Sequence, residues 1–513
     1  MLVHQLLENS AQKYPEKEVL WDKGKWYTYK ELEAQANRVS NYLIENGVRR
    51  GDRVAILMEN SFEYVVAYYA ILKAGAVTVE LNTEILAEDF SYLLNHSEAV
   101  GLITQKKYLN SLQKIATELS FLRSVLFKED DVVESDLPFH VTTFNELYQK
   151  FPSVNPAVRA IDIDLASIIY TSGSTGKPKG VMLTHLNILT NTRSIVEYLE
   201  LSENDRIMVV LPFFYVYGKS LLNTHIAVGG SMVLYNSFTF PNKVLQAMID
   251  TECTGFAGVP SHFSLLLNKS SVRKYTFPKL RYLTQAGGAM APTLQKEVAL
   301  VFYPAKLYIM YGATEASARL SYLDPRELPR RWGSIGKAIP NVELFVADSE
   351  GNPLPPGEVG EIVARGANIM VGYWKDEEET SRVLRNGLYF TGDLGKMDED
   401  GFLYVVGRSK DMIKVGANRI SAKEIEEKIL EHEGILETAV VGVEDEVLGE
   451  AIKAFVVKKN NGVVLDEQDI ISFCKQRLPT FKVPKYVEFR DTLPKTGSGK
   501  INKLELKKQM EKS

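Results

Sequence analysis

Cysteine is almost missing from this chain: Cys253 and Cys474 are the only two in 513 residues. They stand far apart with no neighbouring ligand cluster, which excludes a disulfide framework and a structural zinc site and leaves them as small hydrophobes. No apolar run reaches the length that crosses a bilayer. The opening segment, "MLVHQLLENSAQKYPEKEVL", reads as an amphipathic helix with charges inside it and lacks the basic-then-apolar order of a secretory signal, so a cytoplasmic location is expected. Neither sign of charge dominates. Lys and Arg number 60 against 65 Asp and Glu, for a formal charge of -5 and a pI near 6.0, and a nucleic-acid partner therefore has no electrostatic footprint. Internal repeats, low-complexity tracts and long polar linkers are also missing.

What is present is enough sequence for two or more domains, since 513 residues exceed what one hydrophobic core normally supports. Apolar residues at 45% and charged ones at 24% match a soluble globular enzyme. Short β-branched or aromatic runs alternate with helical periods, as in "RVAILM", "FEYVVAYYAILKAG" and "AVTVEL". That alternation predicts the α/β class, with helices layered on mainly parallel sheets. A boundary is expected after Gly407, where Ser421 and Glu424 are spaced as a capping box and Ile425 and Ile429 fall on one helical face. The expected organisation is a large domain over 1–407, a hinge at 408–411, and a small α/β domain over 412–513. In the small domain "ETAVVGV", "EAIKAFVVKK" and "KYVEF" read as strands and "DEQDIISFCKQRL" as a helix.

The loop "YTSGSTGKPKG", Tyr170 to Gly180, packs three glycines, four Ser or Thr hydroxyls and two lysines into eleven positions. Following the strand-like run "ASIIY" and preceding a helical segment, it is expected to link sheet to helix at the edge where α/β proteins bind ligands. Glycines let backbone amides converge on an anion, hydroxyls add donors and lysines add charge. A Walker loop is excluded, because Gly173 and Gly176 are only two residues apart and Pro178 follows Lys177. By itself such a loop is either a phosphate cradle or a solvated connection.

The loop does not stand by itself. The chain also holds "YGATEAS" from Tyr311, "YFTGDLG" from Tyr389, "GRSKD" from Gly407 and "LPKTGSGKINK" from Leu493. In this order the five segments resemble the adenylate-forming enzymes, namely acyl-CoA synthetases, stand-alone adenylation domains and luciferases, and the resemblance runs along essentially the whole chain. It implies ATP-dependent conversion of a carboxylic acid to an acyl-adenylate with release of pyrophosphate, then transfer of the acyl group to coenzyme A. Transfer to the phosphopantetheine arm of a carrier protein is the alternative. The chemistry is coherent, since joining a carboxylate to the α-phosphate replaces an oxide leaving group by a stable phosphate. Bringing two anions together then calls for cations and amides.

The resemblance also implies roles. Thr171, Ser172, Gly173, Ser174, Thr175, Gly176 and Lys177 would hold the departing phosphates, with Lys179 a further contact. Tyr311 and Gly312 would lie against adenine, Thr314 would meet the α-phosphate, and Glu315 would help to hold Mg²⁺. Gly287 and Gly288 would bring backbone beside the adenine and the acyl group. Asp393 and Arg408 would contact the ribose, Lys410 would be the hinge, and Lys500 would bridge the substrate carboxylate and α-phosphate. Gly416 and Ala417 would border the thiol tunnel, Ala417 standing where most members have glycine. Tyr215, Val216, Gly287 and Ala316 would line the acyl pocket, with Tyr215 in place of the usual histidine. The aspartate that amino-acid-activating domains use for an α-ammonium group is missing around Tyr215, which disfavours an α-amino acid. The expected assembly is a monomer or homodimer.

Overall fold

The computed structural model describes residues 1–85, 87–130, 137–171, 178–415, 418–445, 449–459, 463–496 and 499–511. The chain is α/β, built on two large sheets, a smaller antiparallel one and a fourth made after residue 411. The nine-stranded sheet runs in the order Lys337–Ala338, Ser321–Leu323, Lys306–Tyr311, Tyr282–Gln285, Gly255–Gly258, Arg206–Val209, Ser231–Leu234, Glu18–Asp22, Lys25–Thr28. The eight-stranded sheet runs Gly372–Tyr373, Lys179–Thr184, Leu165–Thr171, Val77–Glu80, Arg53–Leu57, Ala99–Thr104, Ser124–Phe127, His140–Thr143. Neighbouring strands in the middle of both sheets are parallel, so each is buried on two faces.

The main core lies between these sheets. Ile56 and Val181 of one and Ile207, Met232 and Tyr282 of the other share a cluster with Tyr42, Tyr68, Tyr198 and Leu222 from intervening helices. Helix Phe62–Lys73 is buried at every residue but Glu63, as a helix apolar nearly all round must be. Its start is set by Ser61, whose hydroxyl accepts from the Tyr64 amide, while Thr28 and Glu31 form a reciprocal cap on helix Tyr29–Glu45. These caps satisfy amides that the first helical turn leaves without partners.

Two local expectations are corrected. The glycine-rich loop does not join a strand to a helix. It joins Leu165–Thr171 to the antiparallel strand Lys179–Thr184, and helix His185–Leu199 begins only afterwards. Ser421 does accept from the Glu424 amide, but the Glu424 carboxylate turns away to Lys482 at 2.7 and 2.8 Å, so only half of a capping box forms. The small-domain elements follow the expected order, as strands Ile435–Asp445, Gly449–Lys458 and Tyr486–Phe489 and helix Glu467–Lys475. Two cores serve this part, one around Ile420, Ile425, Ile452 and Ile470, the other around Phe455, Leu493 and Leu506.

Candidate active site

Strand Lys306–Tyr311 ends where the chain must turn sharply, and Gly312 is required there because a Cβ would collide with the Ala318 carbonyl. Thr314–Ala316 form a single 3₁₀ turn, followed by Ser317 and Ala318 at φ of 54° and 116°. That conformation strains an L-residue. Side-chain clamps maintain it: the Ser317 hydroxyl donates to the Asn368 carbonyl (2.8 Å), and the Asn368 amide donates to the Ala316 and Arg319 carbonyls (3.1 and 2.8 Å). The Glu315 carbonyl accepts from the Met370 amide, and its carboxylate Oε1 accepts from the Tyr373 hydroxyl, both at 2.7 Å. Burial and the neighbouring carboxylate hold the Tyr373 phenol far above its ordinary value, so it acts as a fixed donor.

Asp393 lies on strand Leu388–Met397 and is 8% exposed. Its Oδ2 accepts from the Tyr311 hydroxyl at 2.7 Å and its Oδ1 from Arg408 Nε at 3.0 Å. Tyr311, Asp393 and Arg408 are thus one connected unit, in which the carboxylate raises the guanidinium further above its usual value. An ionised carboxylate has about four acceptor positions, so these two donors leave room for a diol.

Lys500 comes to the same place from the far end of the chain. Its turn is closed by the Thr496 amide donating to the Lys500 carbonyl (2.8 Å) and by the Gly499 amide donating to the Thr496 carbonyl (2.7 Å). The Ser261 hydroxyl of the large part donates to the Gly499 carbonyl at 3.0 Å and pins the turn across the gap. The Lys500 side chain then lies over Gly287, its Cε 3.6 Å from where a Cβ on that residue would stand. Gly287 has φ +83°, which a side chain would strain. A cavity of about 270 Å³ is lined by Gly287, Tyr311, Gly312, Asp393, Arg408 and Lys500. Desolvation and the Arg408 charge push Lys500 below the ordinary lysine range, against the opposing pull of Asp393 and Glu315.

A model of the AMP-binding enzyme family matches residues 7–374, and a model of the AMP-binding enzyme C-terminal domain matches residues 424–500. The chain belongs to the AMP-binding enzymes. Among relatives, a long-chain-fatty-acid–CoA ligase of Bacillus subtilis (strain 168) is 34% identical, over 97% of this chain and 92% of that protein. Among solved structures, the anthranilate CoA ligase AuaEII in complex with anthranoyl-AMP superposes with a TM-score of 0.91 at 27% identity, covering 99% of this chain and 97% of that one. ATP-bound MatB from Rhodopseudomonas palustris gives 0.89 at 29% identity over 99% of both chains.

For this AMP-binding enzyme the remaining assignments fall unevenly. Thr171 sits half-buried at the end of its strand, while Ser172, Gly173, Ser174, Thr175, Gly176 and Lys177, and likewise Gly416 and Ala417, lie outside the described residues. Lys179 opens the strand Lys179–Thr184. It is an ion-pair partner of Glu379, which also binds Arg382 at 2.6 Å. Lys410 is exposed in the turn Ser409–Asp411. Gly288 borders the same cavity as Gly287. Tyr215 and Val216 are half-buried at the start of helix Val216–Val228, where the Tyr215 ring packs on Phe214 at 4.5 Å. Ala316 is corrected as a pocket wall, because it is fully buried in a small core with Leu320, Ala364 and Tyr389. Tyr373, Met370, Asn368 and Ser261 were not expected in the site. Each acts through hydrogen bonds formed only by folding, and no spacing pattern announces such contacts.

Among the described residues no helix is long and apolar enough to cross a membrane.

Proposed function

We propose that the protein is a cytoplasmic acid–CoA ligase in which Lys500 and the Tyr311–Asp393–Arg408 unit bind the nucleotide on either side of the Gly287 backbone. The reaction is AMP-forming. A carboxylate oxygen of the acid attacks the α-phosphorus of ATP, pyrophosphate leaves, and the thiol of coenzyme A then takes the acyl group with release of AMP. One observation carries this reading: a lysine from residue 500 stands over Gly287 in a cavity that is also lined by the hydrogen-bonded Tyr311–Asp393–Arg408 unit. The name of the Bacillus subtilis relative supports an aliphatic acid as substrate.

In the adenylation step the Lys500 ammonium lies between the attacking carboxylate and the α-phosphate and offsets their repulsion. Asp393 accepts from the ribose hydroxyls, Arg408 orients Asp393 through its Nε hydrogen bond, and Thr314 donates to the α-phosphate. Among the described residues no cluster of three His, Cys, Asp or Glu side chains could hold a metal. The single Glu315 carboxylate suits magnesium, which takes its other ligands from water and phosphate. Bound there, magnesium neutralises charge on the phosphate oxygens. Tyr373→Phe removes the donor that orients Glu315. It is expected to raise the magnesium concentration for half-maximal adenylation roughly tenfold, measured by titrating the metal at fixed ATP. An unchanged titration would remove Tyr373 from this role.

We place the domain division at 1–407, 408–411 and 412–513, with Lys410 in the turn about which the small domain rotates to withdraw Lys500 and admit the thiol. The test is acid-dependent exchange of labelled pyrophosphate into ATP over a panel of carboxylic acids, followed by mass spectrometry with coenzyme A. The expected products are AMP and acyl-CoA in equal amounts. Absence of exchange with every acid would overturn the proposal, and exchange without any acyl-CoA would assign a carrier protein as acceptor instead.

A further inference from the structure

Helix Pro260–Lys269 opens on a proline, whose missing N–H costs nothing at the first helical position. His262 Nδ1 accepts from the Val259 amide at 3.4 Å and closes the first turn. The entry of the helix is thereby fixed, and with it the direction in which Ser261 projects. Its hydroxyl donates not to the helix but out of the large part, to the Gly499 carbonyl at 3.0 Å. The two backbones approach closely there, since a Cβ on Gly499 would stand 3.1 Å from both Ser261 Oγ and Val259 Cγ2.

What this one hydroxyl holds is a whole turn of the small part. The Gly499 amide donates to the Thr496 carbonyl and the Thr496 amide to the Lys500 carbonyl, and the base is tied by the Asn502 amide donating to the Pro494 carbonyl at 2.8 Å. Lys495 adds an ion pair to Glu437 at 2.6 Å. Gly499 therefore moves with the small part, and pinning its carbonyl sets Lys500 over Gly287. Hydrogen bonds also join the two parts at the other end, from Ser421 Oγ to the Val406 carbonyl at 2.5 Å and from Lys423 Nζ to the Val405 carbonyl at 2.6 Å. Their acceptors belong to strand Leu403–Arg408, which leads directly into the turn Ser409–Asp411. In a rotation about that turn, contacts beside the axis shift little. Withdrawing Lys500 carries Gly499 away with it, so the Ser261 bond exists in one arrangement and is broken in the other.

We propose that Ser261 is a positioning residue of the first half-reaction, which acts through Gly499 to weight the two arrangements of the small part toward the one that adenylates. This rests on the acid–CoA ligase reading above and on the rotation that goes with it. A contact present in one of two states shifts their equilibrium by its own net worth, and for a neutral hydrogen bond that is a factor of about five. The modest size suits the task. A charged pair in the same place would be roughly twice as strong and would hold the lysine in the site when the thiol has to enter, whereas a hydroxyl on a carbonyl favours closure and still releases in every cycle.

The experiment measures the two half-reactions separately in the wild type, Ser261→Ala and Ser261→Thr: single-turnover formation of the acyl-adenylate from ATP and an alkanoic acid, and thioester formation from the synthetic acyl-adenylate and coenzyme A. Ser261→Ala is expected to lower the ratio of the first rate to the second about fivefold, and Ser261→Thr, which keeps the hydroxyl, to hold it within about twofold of the wild type. Because the ratio compares two rates on one preparation, partial misfolding of a variant cancels. An equal loss in both half-reactions would make Ser261 a purely structural residue, and an unchanged ratio in Ser261→Ala would show that the bond does not weight closure; either result overturns the inference and leaves the ligase reading intact. Failure of the wild type to form an acyl-adenylate from any acid would overturn the two together.

Discussion

Lys500→Ala is expected to lower the adenylation rate by about three orders of magnitude, equivalent to about 4 kcal/mol of transition-state stabilisation, while ATP binding remains measurable. The size follows from the position. Lys500 meets the site only through its side chain above Gly287, and its turn is held by backbone bonds and by Ser261 donating to the Gly499 carbonyl, none of which the truncation removes. The nucleotide keeps Tyr311, Asp393 and Arg408. Two further readouts separate a catalytic loss from a structural one. In the wild type the alkaline limb of the adenylation profile should fall below the ordinary lysine range, because desolvation in the cavity and the Arg408 charge depress this group and the charged form is the active one. Thioester formation from a synthetic acyl-adenylate should survive in Lys500→Ala, since the lysine acts in the first step alone. Unchanged pyrophosphate exchange in the variant would remove the assignment.

The class of the fold and the identities of these groups were legible in the sequence because each leaves a local trace. Glycines mark close approaches, as at Gly312 against Ala318 and at Gly287 under Lys500. The order of motifs carried the rest, since Tyr311, Asp393, Arg408 and Lys500 stand far apart in the chain and share one cavity. Contacts made by single side chains across the fold were not legible. Tyr373 reaches Glu315 over 58 positions and Ser261 reaches Gly499 over 238, and neither residue is unusual in its own neighbourhood. The strand at Lys179–Thr184 was missed because its apolar run leads straight into a helix, and only pairing with Leu165–Thr171 distinguishes the two.

Mild acid is expected to unfold the large part of the chain first. Of the seven histidines, His4, His185 and His225 are buried and His262 is half-buried, and desolvation holds all four neutral: it pushes His4, His225 and His262 down to about 4 and His185 down to about 3. At His4 the Lys73 charge adds to the effect and Glu8 opposes it. Hydrogen bonds explain why a proton is unwelcome. His185 Nδ1 accepts from the Val3 amide at 3.1 Å, and His262 Nδ1 accepts from the Val259 amide at 3.4 Å. His225 donates through Nδ1 to the Leu221 carbonyl at 2.9 Å, which leaves Nε2, 3.0 Å from the Tyr282 hydroxyl, to accept. A histidine whose folded value lies below its unfolded value of 6.5 contributes stability that is complete above that pH. The contribution is lost as pH falls toward the folded value, because the unfolded chain then binds more protons. At pH 5 each of the four would forfeit up to about 2 kcal/mol, so the sum rivals the roughly 5–15 kcal/mol that holds a typical domain together. All four belong to the large part; the small part contains only His432. Thermal unfolding at pH 7 and pH 5 should therefore show the large part losing on the order of 10 °C, with His225→Gln flattening the dependence. A midpoint independent of pH over that interval would mean that these imidazoles reach solvent before the chain unfolds.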